Sequence, residues 1–156
     1  MATNLKSFVL NGKLEDVKET IENYNFTVDQ LNNMYILHTA AECGKIDICK
    51  YLISLGLDIN KPNDFMKTPL HYTARFELDT CKYLLENGAL IDVKDEDGYT
   101  PLHLAALFDN FDTCEFLLNS GADQHMKNYE GDTFRDITGS EEIRSLGSGD
   151  KTKVCR

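Results

Sequence analysis

One tetrapeptide recurs along this chain at nearly constant spacing, and this recurrence constrains the fold more than any other feature. The sequence Thr-Pro-Leu-His at residues 100–103 also stands at 68–71 and, altered to Tyr-Ile-Leu-His, at 35–38. The three histidines are separated by 33 and 32 residues, and each copy precedes a leucine-rich run that ends at a glycine. A period of this length is typical of stacked structural units, none of which buries its apolar face alone.

Each position of the repeat has a local structural role. Thr68 and Thr100 stand where a helix N-cap belongs, since a threonine hydroxyl accepts a hydrogen bond from an otherwise unpaired backbone N–H. Pro69 and Pro101 follow at the first helical position, where a missing N–H costs nothing. A leucine-rich second helix then ends at a glycine, the residue that best adopts a left-handed C-cap. We therefore predict helix–turn–helix units joined by polar loops.

The motif, its period and the glycine-terminated second helix resemble the ankyrin-repeat family over residues 5–146. The resemblance implies an all-α solenoid of stacked helix–turn–helix units with hairpin loops. The predicted units are an N-terminal capping unit (1–29), repeat one (30–62), repeat two (63–94), repeat three (95–127), a C-terminal capping unit (128–146) and a disordered tail (147–156).

Two departures from the repeat predict local differences. Tyr35 replaces the capping threonine in repeat one, which removes an N-cap worth about 1 kcal/mol. Repeat two is one residue shorter between its helices, at the place where Gly44 and Asn110 stand in repeats one and three. Because Gly and Asn tolerate positive φ, we expect the chain to turn differently in repeat two.

Composition and charge limit the classes of partner. The 156 residues carry 26 acidic and 16 basic side chains, for a net charge of −10. Such a chain repels the phosphates of nucleic acids and favours a basic or amphipathic protein surface. Residues 1–10 lack the apolar core of a secretory leader, and no apolar run reaches membrane-spanning length. Five cysteines, an odd number, then indicate reduced thiols, so we predict an intracellular, cytoplasmic or nuclear protein.

The cysteines and histidines follow the repeat rather than a ligand pattern. Cys49, Cys81 and Cys114 occupy the same position in successive repeats. Packed helices lie about 8–10 Å apart, whereas a disulfide needs Cα atoms within about 7 Å, so we predict that these cysteines pack between second helices. The family resemblance implies that the repeated histidines tie neighbouring loops together by hydrogen bonds. The sequence therefore predicts no metal, no cofactor and no enzymatic activity.

The positions that the repeat leaves free are the informative ones for function. In the ankyrin family these are the loop tips and the ends of the first helices, which line a concave surface. Aromatic residues there are not required by the fold, and they predict an interface of aromatic anchors inside an acidic rim. The predicted partner-binding residues are Met34, Phe65, Lys67, Arg75, Phe76, Glu96, Asp97, Tyr99, Leu107, Phe108, Tyr129 and Glu130. In repeat one, the same mapping adds Leu31, Asn32, Glu42 and Cys43. Local packing over the loops is the alternative for Phe76.

Three functional hypotheses remain open on the sequence. The first is a stand-alone, monomeric adaptor, scaffold or inhibitor that binds another protein. The second is the ankyrin portion of a larger regulatory protein. The third, an enzyme or a metal protein, lacks a supporting residue set. The short chain and the altered second repeat also resemble the ankyrin-type cyclin-dependent kinase inhibitors.

One loop residue matches a modification pattern. Asn60 lies eight residues after Leu52, in the loop that follows the second helix of repeat one. This arrangement resembles the site at which an asparaginyl hydroxylase of animal cells modifies ankyrin repeats. The alternative, which we favour, is a structural asparagine that stabilises the loop by hydrogen bonds.

Overall fold

Eleven helices and no strand make up residues 2–147, the part of the chain that the computed structural model describes. The helices are α1 (Ala2–Leu10), α2 (Leu14–Asn23), α3 (Val28–Asn33), α4 (Ile36–Glu42), α5 (Ile46–Ser54), α6 (Pro69–Thr73), α7 (Leu78–Glu86), α8 (Pro101–Leu107), α9 (Phe111–Asn119), α10 (Phe134–Ile137) and α11 (Glu141–Ser145). The prediction of an all-α fold is confirmed. Residues 148–156, most of the predicted disordered tail, lie outside the described residues.

Ten of these helices stack in two rows. The first row runs α1, α4, α6, α8 and α10, and each of these helices packs against the next. The second row runs α2, α5, α7, α9 and α11 in the same way, and each first-row helix also packs on the second-row helix that follows it in sequence. Among the described residues, each helix pair therefore packs mainly against its neighbours along the stack, which is the solenoid arrangement that the period predicts.

The core lies between the two rows and is built from the same positions in each unit. Cys49, Cys81 and Cys114 are fully buried on α5, α7 and α9, and each precedes by three residues a fully buried leucine. The predicted core position of these cysteines is thus confirmed. Burial raises the pKa of their thiols, to about 12 for Cys49 and Cys114 and to about 11 for Cys81. Thiols this weakly acidic are poor nucleophiles at neutral pH.

The Thr-Pro-Leu-His motif starts α6 and α8 as predicted. Thr100 caps α8, because its Oγ1 accepts a hydrogen bond from the backbone N–H of His103 at 3.4 Å. The backbone N–H of Thr100 in turn donates to Nδ1 of His103 at 3.3 Å. The histidine thus replaces the glutamate of an ordinary capping box. Its Nε2 donates to the carbonyl of Asp132 in the next loop at 3.2 Å, so the predicted loop-tying role is confirmed.

Repeat one lacks this cap, as its sequence predicts. Tyr35 precedes α4 with a left-handed backbone (φ 52°) and provides no side-chain cap. Without a threonine, Nδ1 of His38 is buried and has no hydrogen-bond partner among the described residues. Its Nε2 still donates to the carbonyl of Lys67 at 3.1 Å. Burial lowers the pKa of His38, which therefore stays neutral at physiological pH.

A helix, and not a hairpin loop, precedes the first helix of repeat one. Thr27 and Gln30 form a reciprocal capping box that starts α3, with bonds of 2.9 and 3.2 Å. The placement of Leu31 on the binding surface is therefore wrong, since its side chain is fully buried against the core. Asn32, another predicted surface residue, accepts a hydrogen bond from the backbone N–H of Asp58 at 3.2 Å.

The turn between helices differs in repeat two, as predicted, but one residue was misplaced. The left-handed residues of repeats one and three are Gly44 (φ 63°) and Asp109 (φ 51°), so the assignment of positive φ to Asn110 is wrong. Asn110 has φ −85° and is the N-cap of α9. In repeat two no described residue of the turn has positive φ, and α6 ends early, at Thr73.

Paired lysine and aromatic side chains link successive second-row helices. Each lysine lies over a ring of the next unit at 5.7–5.8 Å, and each also forms an ion pair with an acidic residue three positions earlier, at 2.9–3.8 Å. These second-row pairs are Lys18–Tyr51, Lys50–Tyr83 and Lys82–Phe116. They recur with the period of the fold and therefore belong to the scaffold.

Candidate protein-binding surface

Three polar loops between the helix pairs share one hydrogen-bonding scheme. We call 63–67, 95–99 and 128–132 the finger loops. In the second of these, Oδ1 of Asp95 accepts hydrogen bonds from the backbone N–H groups of Asp97 at 3.1 Å and Tyr99 at 2.8 Å. Asn63 and Asn128 hold the other two loops in the same way. A side chain that satisfies two backbone donors fixes the loop without a strand.

The finger loops are also fastened to one another. The backbone N–H of Glu96 donates to the carbonyl of Phe65 at 3.1 Å, and that of Tyr129 donates to the carbonyl of Asp97 at 3.1 Å. Beneath them, Nε2 of His71 donates to the carbonyl of Tyr99 at 3.1 Å. Burial lowers the pKa of His71 to about 4 and keeps it neutral, so this contact holds at neutral pH. The loops therefore form a continuous, ordered row.

The tips of this row combine large apolar side chains with acidic ones. Phe65 and Tyr129 are 55% and 71% exposed, although nothing in the repeat requires an aromatic residue there. The acidic residues around them are exposed as well. We call this set the fingertip surface; its members are Asp64, Phe65, Met66, Glu96, Asp97, Tyr129 and Glu130. Exposed aromatic residues of this kind are enriched where proteins bind each other.

Met66 is a member of this surface that sequence reasoning missed. It has φ 57°, in a position where the other two finger loops have glycine, Gly98 (φ 82°) and Gly131 (φ 94°). A non-glycine residue in this conformation costs about 1 kcal/mol or more. Its side chain is 51% exposed and hence contributes little to the core. Comparison of the three loops in the sequence contains the signal, because only this loop lacks the glycine.

A second group of predicted residues lies at the C-terminal ends of α6 and α8, whereas finger loops precede the N-terminal ends of these helices. Just beyond α6, and at the end of α8, stand Arg75, Phe76, Leu107 and Phe108, which we call the turn cluster. Phe76 is 68% exposed, so local packing over the loops is not its role. The guanidinium of Arg75 lies 5.3 Å from the ring centroid of Phe76 and 4.7 Å from that of Phe108. The two rings are 6.4 Å apart.

The shortened turn of repeat two is held by repeat three. Because α6 ends early, the carbonyls of Ala74 and Arg75 are left without helical partners. Nδ2 of Asn110 donates to both of them, at 3.4 and 3.1 Å. Oδ1 of the same side chain accepts from the backbone N–H of Thr113 and caps α9. Phe108 precedes Asn110 by two residues, so the bond from Asn110 to the carbonyl of Arg75 holds Arg75 beside Phe108.

Some predicted binding residues have structural partners instead of free side chains. Met34 is half-buried against the core. Nζ of Lys67 lies 3.6 Å from Oδ2 of Asp95, a buried oxygen that accepts no hydrogen bond from the described residues. Tyr99 is half-buried with its ring edge-on to His103 at 5.9 Å. Cys43, mapped to the surface in repeat one, is also half-buried, and burial raises the pKa of its thiol.

Asn60 uses its whole side-chain amide to link repeats one and two. Nδ2 donates to the carbonyl of Gly88 at 3.1 Å, and Oδ1 accepts from the backbone N–H of Leu90 at 2.8 Å. These bonds supply the structural role that we favoured, although they cross to the next repeat and do not stay within one turn. Hydroxylation of Asn60 stays a prediction, which intact-mass and peptide spectra after co-expression with the hydroxylase would test.

No group of three or more His, Cys, Asp or Glu side chains between residues 2 and 147 is arranged to hold a metal ion. A groove at the C-terminal end of that part of the chain, lined in part by Glu115, Leu118 and Leu146, shares no residue with the fingertip surface or the turn cluster. Nor is any helix there long and apolar enough to cross a lipid bilayer.

Comparison with known proteins agrees with the repeat architecture. The sequence matches a family model described as ankyrin repeats, in three copies, over residues 5–95 and 55–128. No curated protein matched the sequence. Ankyrin repeats are generally protein–protein interaction modules, and the family is typically non-catalytic. With a match over most of its length and two rows of stacked helices, this chain belongs to the ankyrin-repeat family.

Proposed function

We propose that this protein is a non-catalytic binding module, an adaptor, scaffold or inhibitor, that engages another protein through the fingertip surface and the turn cluster. One observation supports this more than any other: Phe65, Phe76, Phe108 and Tyr129 are exposed at positions where the fold requires no aromatic residue. Large exposed rings are costly to leave in water and are enriched where proteins bind each other.

The negative charge of the fingertip surface supports a particular class of partner protein. The fingertip surface carries Asp64, Glu96, Asp97 and Glu130, all exposed, in a chain of net charge −10. Such a surface attracts basic or amphipathic proteins and repels nucleic acid. We propose that the protein acts as a monomer inside the cell, and that 30–62, 63–94 and 95–127 are the three full repeats between the two capping units.

A second candidate rests on the short first helix of repeat two. Helix α6 spans Pro69–Thr73, whereas α8 in repeat three spans Pro101–Leu107. An altered second repeat is the feature that resembles the ankyrin-type cyclin-dependent kinase inhibitors. Inhibition of a purified cyclin-dependent kinase by the full chain would support this role, and full kinase activity at saturating protein would exclude it. A further possibility is that the binding module is one part of a larger regulatory protein.

The proposal is tested by affinity capture from the native cell. We expect the full chain to retain a partner protein that is lost when Phe76→Ala and Phe108→Ala are combined. The matched control is Lys50→Ala, which alters a second-row pair and should retain the partner. Quantitative mass spectrometry compares the three captures. Equal recovery on all three proteins would contradict the proposed surface.

A further inference from the structure

The turn cluster contains a cation that has no acidic partner among the described residues, and this deepens the proposed function by indicating which group the partner protein presents. Arg75 is exposed, its side chain forms no ion pair and donates no hydrogen bond to any residue between 2 and 147, and its only side-chain contacts of note are the two phenylalanine rings. The chain has 26 acidic and 16 basic side chains, yet none of the acidic residues that the structure describes forms an ion pair with Arg75.

Another stacked arginine in the molecule shows what a structural one does. The guanidinium of Arg135 lies 4.5 Å from the ring of Phe134, much as Arg75 lies by Phe108. Its N–H groups, however, donate to Oε1 of Gln124 at 2.7 Å, to the carbonyl of Arg144 at 3.2 Å and to the carbonyl of Leu146. Arg135 uses its donors to hold the C-terminal unit together and to fasten it to repeat three, whereas the guanidinium of Arg75 donates to none of the described residues.

The position of Arg75 is fixed in advance of any ligand. Its backbone carbonyl accepts the hydrogen bond from Asn110, and the rings of Phe76 and Phe108 lie on the guanidinium. The N–H groups of a guanidinium form a planar fork that suits a bidentate acceptor, and no described residue accepts a hydrogen bond from that of Arg75. A carboxylate is such an acceptor. Preorganisation of this kind lowers the entropic cost of binding.

We propose that the turn cluster binds an Asp or Glu side chain of the partner protein, flanked by a large apolar residue. The carboxylate pairs with Arg75, and the apolar residue packs on Phe76, Phe108 and the 47% exposed side chain of Leu107. Because the fingertip surface is acidic, the partner then carries positive charge opposite the finger loops and negative charge opposite the turn cluster. The acid is what distinguishes this partner from a generic basic protein. The inference rests on the proposed function.

The test is a selection of random linear peptides displayed on phage against the immobilised full chain. Enriched sequences are resynthesised with amidated C-termini, so that side chains supply their only carboxylates, and are measured by titration calorimetry. We expect Asp or Glu beside Leu, Phe or Trp, and a loss of at least about tenfold in affinity with Arg75→Ala, equivalent to ~1.4 kcal/mol. Arg75→Lys keeps the charge without the planar fork, and we expect it to recover only part of the affinity.

The matched control is Lys127→Ala, which removes one positive charge from an exposed residue outside the cluster and should bind the peptides normally. Purely basic hits that bind Arg75→Ala and the unaltered chain equally would overturn the inference while the proposed binding function stands. Enrichment of no sequence would also overturn it, and the capture from native cells then decides the proposed function separately. A phosphoserine in place of the acid that binds more than about tenfold tighter would overturn the choice of carboxylate.

Discussion

The second-row pairs and the turn cluster use the same chemistry, a cation over an aromatic ring, with opposite consequences. Lys18, Lys50 and Lys82 recur with the repeat, and each is held by an acidic residue on its own helix as well as by a ring on the next one. Arg75 occurs once, is exposed and has no acidic partner among the described residues. A cation that recurs in each repeat and also has an acidic partner stabilises the scaffold. A cation that occurs once and has no acidic partner can bind a ligand.

The largest expected effect is a pH-dependent loss in the free energy of unfolding, and it concerns the scaffold alone. Burial places the pKa of His71 at about 4, below the usual 6.5 of an unfolded histidine. The unfolded chain therefore binds a proton first as the pH falls, so stability is full above pH ~6.5 and declines towards pH ~4. For His71 this loss amounts to about 3 kcal/mol.

Chemical denaturation at a series of pH values measures this loss. We expect His71→Gln to be less stable at neutral pH and to show a flatter dependence between the two limits. An unfolding free energy of the unaltered chain that is constant across this range would show that the histidine is not held neutral by burial.

Asn110 contributes both to the scaffold, as the N-cap of α9, and to the turn cluster, through its bond to the carbonyl of Arg75. Asn110→Ala removes the N-cap of α9 and leaves two carbonyls of repeat two without a donor. We expect a loss of about 1–2 kcal/mol in the free energy of unfolding. Partner binding should weaken as well, since Arg75 is no longer fixed beside Phe108. Asn110→Asp keeps the cap acceptor, replaces the donor by a carboxylate oxygen that repels the two carbonyls, and so tests the contact to repeat two apart from the cap. If both variants bind the partner as tightly as the unaltered chain, Asn110 does not preorganise the cluster.

Met66 separates stability from function in the finger loops. Met66→Gly relieves a left-handed methionine and should stabilise the chain by about 1 kcal/mol. Binding should weaken at the same time, because an exposed apolar side chain is lost from the fingertip surface. Thermal unfolding and partner titration are measured on the same samples. A variant that becomes more stable with unchanged affinity would remove Met66 from the binding surface.

Lys50 tests the scaffold side with a small effect. Lys50→Ala removes one cation–ring contact and one exposed ion pair, which together contribute about 0.5 kcal/mol. We expect slightly lower stability and unchanged partner binding. Lys50→Gln, which keeps most of the aliphatic stem, is a useful comparison. A loss of partner affinity in either variant would show that the second-row pairs contribute to binding as well as to the scaffold.

Much of the scaffold could be predicted because each element depends on nearby residues. The Thr-Pro start of α8, the buried Cys81 and the altered turn of repeat two all follow from local sequence. Helix α3 was missed although Thr27 and Gln30 carry the spacing of a capping box, because the repeat pattern led us to expect a loop. The buried position of Leu31 follows from that helix.

The details of the binding surface depended on contacts that cross between repeats, and sequence spacing does not encode them. The bonds from Asn110 to the carbonyls of Ala74 and Arg75 require the positions of two helix ends in different units. The stacking of Arg75 on Phe108 is of the same kind. Exposed positions were predicted from the repeat, but which side chains were already engaged, as Lys67 is by Asp95, became evident only in the structure.

The most direct test of the central claim is the affinity of the captured partner for the chain that carries both Phe76→Ala and Phe108→Ala. Both rings are exposed, at 68% and 40%, so we expect the free energy of unfolding to change by no more than about 0.5 kcal/mol. Binding measured by titration calorimetry should be abolished, while Lys50→Ala binds normally. A double variant that binds like the unaltered chain, or one that loses binding only because it unfolds, would contradict the account.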